Sequence, residues 1–597
     1  MLMSETEGGR MRRVRGVLLA VLCALPLSAV PAAAAPPGGP VFEDGEAQPV
    51  FDPARAVREE LFVAAPTDSD RDGRPDEVHV QVVRPAGTER GLRVPVVYRM
   101  SPYFADTNEV PHHDVDTELH VPSRPGPRVA SSSRRAVEID WRYEDYLLAR
   151  GYAVVYAESL GTGESTGCPT AGGENETIGA KSVVDWLNGR AFARNRDGRP
   201  VEADWATGRV GMMGVSYNGT LPNAVATTGV EGLEAIVPIA AISNWYDYYR
   251  SDGAVVAPGG YQGEDADVLA KYVHTREDRE PCRPVIDGLT AAQDRITGDY
   301  NEFWDERNYL HDADEVRAAV LAVHGLNDWN VKTRQAAQWY AALREHDVPH
   351  RIWWHQSGHV DPISLREREW LRTLNRWFTR YLHGVRNGVE QEPRATVQRE
   401  DGSWVDEPEW PAPGAREVVL RPTAGGDRRG GLTAERGGRP VVEVLRDDAA
   451  VRAEDLVAAA SSPHRLSYTT EPLDAPVRLS GTARAELALR FDAPAANVTA
   501  LLVDHAPDGT VEIVTRGWTD PQNRHALDRT SPVVPGKRYS VDVALQPDDH
   551  VFGAGHRIGF AVLSSDHDFT LRPPPGTELA LELRRSGLAL PVLGRLP

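Results

Sequence analysis

A serine stands among glycines in the run Gly211-Met-Met-Gly-Val-Ser-Tyr-Asn-Gly219. Arg209-Val210 before it reads as the end of a short strand, and Leu-Pro-Asn-Ala-Val-Ala at 221–226 is compatible with a helix. A serine at a sharp strand-to-helix turn suggests a nucleophile elbow. The turn lifts the Ser216 hydroxyl clear of a sheet and aims the next backbone N–H, that of Tyr217, where an oxyanion would form. The backbone there is strained, so its neighbours must be small. The run departs from Gly-x-Ser-x-Gly in one place: Asn218 takes the last position and Gly219 follows. Asn tolerates left-handed backbone better than most residues. Taken alone, the run also reads as a glycine-rich turn with an exposed serine.

A serine needs a base to become a nucleophile, and the base needs an orienting carboxylate. In α/β-hydrolase sheets the chain order is Ser, then Asp, then His. The apolar run at 319–323 leads into His324-Gly-Leu-Asn-Asp-Trp329, which places Asp328 in the following loop. Arg351-Ile-Trp-Trp-His355 leads into Gln-Ser-Gly-His359, which places His359 in the next loop. Each alone could be a turn carboxylate or a surface histidine. His324 and His355 compete with His359, but both lie within or against their strands. Three elements in the right order, at strand ends where such sheets gather their reactive groups, point to the triad Ser216, His359, Asp328. A second oxyanion donor comes from the loop after the strand at 94–98, where Arg-Met-Ser-Pro-Tyr-Phe at 99–104 presents the Tyr103 phenol; a structural tyrosine is the alternative. The chemistry requires no cofactor and no metal.

Strand and helix signals alternate from about 140 to 385, which argues for a parallel α/β sheet. The segments 78–83, 94–98 and 153–156 read as strands and 183–187 as helix. Residues 243–312 are polar, aromatic and acidic with weak strand signals, fitting an inserted helical cap. Beyond about 390 short alternating segments (485–489, 498–503, 539–543, 579–583) lie between Pro, Gly and Asp turns, the pattern of an all-β sandwich. The expected organisation is a leader at 1–35, a Pro/Gly-rich linker at 36–50, an α/β-hydrolase domain at 51–388 with the cap at about 243–312, and a jelly-roll β-sandwich at 389–597.

The chain has 597 residues, 41% hydrophobic and 26% charged, and a net charge of −21. That balance fits a soluble globular protein and argues against nucleic acid or an anionic membrane as partner, since both need basic surface. Arginines at 10, 12, 13 and 15, a short apolar run at 17–27 and alanines at 32–35 read as a secretory leader cut near Ala34 or Ala35, implying a secreted protein. The mature chain then keeps Cys168 and Cys282, which either pair in an oxidising compartment or stay as thiols. Asp68, Asp70, Asp72 and Gly73 have the spacing of a calcium loop, but His79 replaces the twelfth-position Glu, so a polar hairpin turn is the better reading.

The chain resembles the Xaa-Pro dipeptidyl-peptidase branch of the cocaine-esterase-like serine hydrolases. The likeness is dense over 150–335: Gly161-Thr-Gly163, Val184-Asp-Trp-Leu-Asn-Gly-Arg190, Ser216-Tyr217, Ile242-Ser-Asn-Trp-Tyr-Asp-Tyr-Tyr249, Pro258-Gly-Gly-Tyr-Gln-Gly-Glu-Asp265 and Val323-His-Gly-Leu-Asn-Asp-Trp-Asn330. The tail resembles the family's C-terminal jelly roll more loosely. The resemblance implies release of dipeptides from free N-termini when proline is second. It also implies Tyr103 and the Tyr217 N–H as oxyanion donors, Glu264 as counter-charge for the substrate ammonium, and Trp245, with Tyr246 a weaker candidate, at the proline pocket. The partners would be proline-containing peptides, and a homodimer is the assembly the family suggests. Well-known members carry a large N-terminal helical domain that helps dimerisation and gating; here about 15–60 residues separate the expected leader from the first hydrolase-like strands, which leaves the oligomeric state and the substrate size limit open. The alternatives are an α-amino-ester hydrolase or esterase of the same fold, or a secreted binding protein that works through its β-sandwich.

Overall fold

The computed structural model describes residues 38–117, 119, 141–435 and 440–596. The leader read at 1–35 lies outside these residues. The described residues from Pro40 onward form one compact unit. Among the described residues no helix is long and apolar enough to cross a membrane.

The catalytic half is built on an eleven-stranded sheet. Its strands in chain order are β1 (Val57–Ala64), β2 (Glu77–Arg84), β3 (Val94–Ser101), β4 (Ala153–Glu158), β5 (Ala193–Arg194), β6 (Ala206–Val215), β7 (Leu233–Ile239), β8 (Ala319–Gly325), β9 (His350–His355), β10 (Ala395–Gln398) and β11 (Trp404–Glu407). Across the sheet they run β11-β10-β9-β8-β7-β6-β3-β4-β2-β1-β5. Pairing is parallel from β10 through to β4 and antiparallel at both edges. β3 and β8 are buried along their whole length, because helices cover both faces. Packed against the sheet are α1 (Trp141–Ala149), α2 (Glu174–Leu187), α3 (Tyr217–Ala226), α8 (Arg334–Glu345) and α9 (Ile363–Tyr381). Between β7 and β8 the chain leaves the sheet to form α4 (Tyr246–Tyr249), α5 (Ala266–Val273), α6 (Arg283–Ala292) and α7 (Glu302–Asp305), the inserted cap.

Among the described residues the C-terminal half is mostly β, with the short α10 (Ala453–Ala458) and single helical turns at Pro521–Asn523 and Leu583–Arg585. One layer includes Arg484–Phe491, Arg538–Ala544 and Gly587–Leu593, and the other includes Val498–His505, Val511–Thr519 and Arg557–Leu563. Leu487 and Val541 from the first meet Leu502 and Phe560 from the second in a single core. Alternation along Arg538–Ala544 places Tyr539, Val541 and Val543 inside and Ser540 and Asp542 outside.

The stretch expected as a linker differs from that reading over its second part. Phe42–Glu43 pairs with Glu46–Ala47 as a hairpin, and the buried Ala47 N–H bonds the side chain of Asn375 on α9 at 3.0 Å. Its sequence reads as connector because the strands are two residues long, and their partner lies more than three hundred residues away.

Candidate active site

Ser216 sits between the last residue of β6 and the first of α3, with φ 64° and ψ −129°. Such a conformation is costly for a residue with a side chain and persists only when its surroundings enforce it. The Ser216 N–H donates to the Ile239 carbonyl at 2.9 Å, pinning the turn to the end of β7. A Cβ on Gly214 would meet the Asn218 carbonyl at 2.4 Å, and one on Gly219 would meet the Gly214 carbonyl at 2.6 Å. Gly219 is thus the small residue the elbow requires, which explains why Asn218 is tolerated before it. The Tyr217 N–H opens α3, so it has no partner within the helix and remains available beside Ser216.

The register of the sheet gathers the other two groups at the same edge. Val215 pairs with Ile239, Ile239 with Val323, and Gly325 with His355, so the loops after β6, β8 and β9 leave the sheet side by side. The buried Asp328 accepts N–H bonds from Asn330 and Val331 on Oδ1, both at 3.0 Å. Its Oδ2 lies 2.7 Å from His359 Nδ1. An ionised carboxylate can only accept, so Nδ1 carries the proton and Nε2 is left as the acceptor. His324 and His355 are buried inside their strands, and burial lowers both, His355 to about 4. Neither can serve as an exposed base.

Next to the elbow lies an aromatic cluster. The Trp245 ring packs edge-on against Tyr217 at 5.0 Å and stacks on Tyr249 at 6.4 Å. Its N–H donates to the Tyr309 hydroxyl at 3.0 Å, which donates in turn to the Gly172 carbonyl at 3.0 Å. Tyr103, held by a bond from its N–H to Ser101 Oγ at 3.0 Å, sets its ring edge-on to Tyr217 at 6.1 Å. The Tyr217 phenol itself turns away to the Glu176 carboxylate, and burial followed by that charge holds it well above the usual phenol range. Glu264 is only 3% exposed and accepts the Tyr249 hydroxyl at 3.2 Å.

Tyr246 departs from expectation. Its hydroxyl donates to the Gly298 carbonyl at 2.8 Å and accepts the Gly253 N–H at 3.2 Å, while its ring packs on Tyr300 and Trp304. Both ends of the side chain are engaged inside the cap, so it braces the cap instead of lining a pocket. The tyrosine that joins Trp245 to Glu264 is Tyr249, within the same quoted segment but indistinguishable from its neighbours by type. Two further groups had no sequence signal. Glu176 anchors the Tyr217 phenol. Lys332 is 1% exposed, bonds the Tyr248 and Ala257 carbonyls at 3.2 Å each, and is brought down to about 7 by burial.

Cys168 and Cys282 form a disulfide that joins the loop after β4 to the cap. In the acidic turn between β1 and β2, Asp68, Asp70 and Asp76 bring carboxylate oxygens within 4.8 Å of one another. Protein donors already engage them: Asp68 takes the Asp72 and Gly73 N–H groups, Asp70 pairs with Arg276 at 2.6 Å, and Asp76 accepts Ser69. Asp72 instead caps the Arg74 N–H.

A hydroxyl at an elbow, with a carboxylate-bound imidazole on the same sheet edge and an aromatic cap above, defines a serine hydrolase of α/β-hydrolase fold. The chain belongs to the X-Pro dipeptidyl-peptidase (S15) family, whose match covers residues 72–361, while the family's C-terminal non-catalytic domain matches 387–591. A Bacillus anthracis protein, provisionally named an Xaa-Pro dipeptidyl-peptidase, is 48% identical over 555 residues, covering 92% of this chain and 90% of that one. The Xaa-Pro dipeptidyl-peptidase of Ligilactobacillus salivarius is 32% identical over 641 residues, covering 93% of this chain and 79% of its own. Among solved structures, an α-amino acid ester hydrolase superposes with a TM-score of 0.64 at 17% identity, covering 95% of this chain and all of that one. A CocE/NonD family hydrolase from Staphylococcus aureus gives 0.65 at 15%, covering 90% and 97%. These two share the fold.

Proposed function

We propose that this protein is an exopeptidase that releases Xaa-Pro dipeptides from free peptide N-termini through an acyl-enzyme. The observation that carries the reading is the buried Glu264 carboxylate, held by Tyr249 against the Trp245 wall beside the elbow. A carboxylate there is the counter-charge that the ammonium of a free peptide N-terminus would pair with. Family membership supports the same substrate class.

In this mechanism Ser216 Oγ attacks the carbonyl carbon after proline while His359 Nε2 takes the hydroxyl proton. Asp328 holds the ring in the required tautomer and stabilises the imidazolium. The Tyr217 N–H and the Tyr103 hydroxyl face the developing oxyanion; losing one such donor costs about 2.7–4 kcal/mol of transition-state stabilisation. His359 then protonates the departing amine as the C–N bond breaks, leaving the dipeptide esterified to Ser216. Water, deprotonated by His359, attacks that ester and restores the serine. Trp245 provides a flat apolar wall for the proline ring. Export through residues 1–35 and assembly as a homodimer complete the proposal; fractionation of the culture medium and light scattering of the mature chain check them.

The deciding experiment is p-nitroaniline release from Gly-Pro-p-nitroanilide, with the N-acetylated substrate and Ser216→Ala alongside. Turnover of the free amine alone, lost in the variant, supports the reading. Ser216-dependent hydrolysis of phenyl esters, with no turnover of Gly-Pro-p-nitroanilide, would move the protein to the ester hydrolases.

A further inference from the structure

Asp328 owes its direction to the residues that follow it. Its Oδ1 accepts the N–H groups of Asn330 and Val331, so the path of the chain from 328 to 331 fixes where Oδ2 points, and hence how it meets His359 Nδ1. That path lies outside the strands and helices. On the sheet side it is held through the Val331 carbonyl, 2.7 Å from His324 Nε2.

The cap holds the other side of the loop. The Gly259 N–H donates to the Trp329 carbonyl at 2.7 Å, and the Tyr248 hydroxyl donates to Asn330 Oδ1 at 2.7 Å. A Cβ on Gly259 would lie 2.8 Å from the Trp329 carbonyl, so glycine is what lets the two chains come this close. Lys332 closes the same contact. It is 1% exposed, and its Nζ donates to the Tyr248 and Ala257 carbonyls at 3.2 Å each. A polar group so buried needs such acceptors. Burial opposes its charge, and the Asp328 carboxylate is the strongest group supporting it.

The cap segment that receives Lys332 rests in turn on the C-terminal sandwich. The Ala257 N–H donates to the Phe569 carbonyl at 2.8 Å, and Val256 forms a β-bridge with Thr570. Phe569 packs edge-on against Trp329 at 5.9 Å, and Lys332 Nζ lies 5.9 Å from the centre of the Trp518 ring. The acid loop, the cap and the sandwich thus meet at one lysine.

We infer that Lys332 is a positioning residue for the reaction: by bonding the Tyr248 and Ala257 carbonyls it carries the placement of cap and sandwich to Asp328, and through Asp328 to His359. The inference rests on the proposed triad and is independent of which peptide is cleaved. It gives the C-terminal sandwich a part in the chemistry by way of the acid.

The test compares Lys332→Met, which keeps the length of the side chain and removes its donors, with Gly259→Ala, which presses on the Trp329 carbonyl from the cap. Each is assayed on Gly-Pro-p-nitroanilide and on p-nitrophenyl acetate, an ester that needs the triad but not the indole wall. Both variants should lower kcat/KM on the two substrates by similar factors, up to about 10²-fold, the cost of a displacement of about 1 Å. Labelling of Ser216 by a fluorophosphonate, followed by mass spectrometry, closes a double-mutant cycle. Lys332→Met should slow labelling of the native enzyme and add little in Asp328→Asn, because residues that act through one group are not additive. Unchanged rates, a loss confined to the dipeptide substrate, or additive effects in the cycle would overturn the inference. Should Lys332→Met fail to fold by circular dichroism, Gly259→Ala decides in the same assays and cycle. Ser216-dependent hydrolysis of the ester without turnover of Gly-Pro-p-nitroanilide would remove the dipeptidyl-peptidase reading, and the ester and labelling measurements would still decide the part played by Lys332.

Discussion

Gly172 and Trp245 are in direct contact: a Cβ at position 172 would lie 2.0 Å from the indole nitrogen. The same glycine has φ +82°, donates its N–H to the Tyr217 hydroxyl at 3.0 Å and accepts the Tyr309 hydroxyl at 3.0 Å. One residue of the loop after β4 thus sets the position of the indole and of the side chain following the nucleophile. Gly172→Ala should push Trp245 out of place. A displacement of about 1 Å costs on the order of 10²-fold in rate, so kcat/KM for Gly-Pro-p-nitroanilide should fall by about that factor. Hydrolysis of a small phenyl ester, which does not need the indole wall, should fall much less. Equal losses on both substrates would place the damage at the elbow instead.

Asp328→Asn tests the tautomer argument. The amide can present its NH₂ to Nδ1, moving the ring proton to Nε2 and removing the acceptor. The expected loss in kcat is about 10⁴-fold, with the far-ultraviolet circular dichroism spectrum unchanged. A loss below tenfold would mean that the carboxylate bonded to His359 has no part in the chemistry.

The Cys168–Cys282 bond closes a loop of 114 residues around the core of the catalytic half and fastens α6 to the loop that carries Gly172. By the chain-entropy estimate such a loop is worth about 4–5 kcal/mol. The double variant Cys168→Ala/Cys282→Ala should therefore unfold at distinctly lower temperature by calorimetry. KM for Gly-Pro-p-nitroanilide should also rise, since the cap wall is less firmly held. An unchanged melting temperature would show that the bridge does not constrain the unfolded chain.

Four buried histidines and Lys332 should each make stability grow with pH, in separate windows, while Asp548, raised to about 8 by burial, opposes them below that pH. Burial lowers His274, His355, His383 and His505 to about 4, against about 6.5 in an unfolded chain. Between pH 4 and 6.5 the unfolded state thus binds up to four more protons at these sites, and stability falls as pH falls through that window. His79 and His550, raised despite burial by Glu158 and Asp504 respectively, do not join this uptake. Lys332, lowered to about 7 by burial, is unprotonated in the folded state where the unfolded lysine keeps its proton up to about pH 10.4. That window also favours folding as pH rises. Melting temperatures from pH 5 to 9.5 check the first statement. The second requires native enzyme to gain on Lys332→Met between pH 7 and 9.5; a constant difference would refute it.

Ser216, Asp328 and His359 were legible because each follows a strand whose apolar run is a local signal, and their order along the chain is itself informative. The break near residue 390 was legible for a related reason: periodicity changes where helices give way to alternating strands. Trp245, Tyr246 and Tyr249 were not separable by such signals. Successive residues in a helical turn fan out by about 100°, so neighbouring aromatics meet different surroundings, and only the packed cap shows that Tyr246 is spent on Gly253 and Gly298 while Tyr249 reaches Glu264. The pairing of Cys168 with Cys282 belongs to the same class. Sequence by itself determined which residue types stand at the ends of which strands, because strand and helix formation answer to neighbours a few residues away. Tertiary structure alone decided which of them touch, because contacts across hundreds of residues are set by how the layers pack.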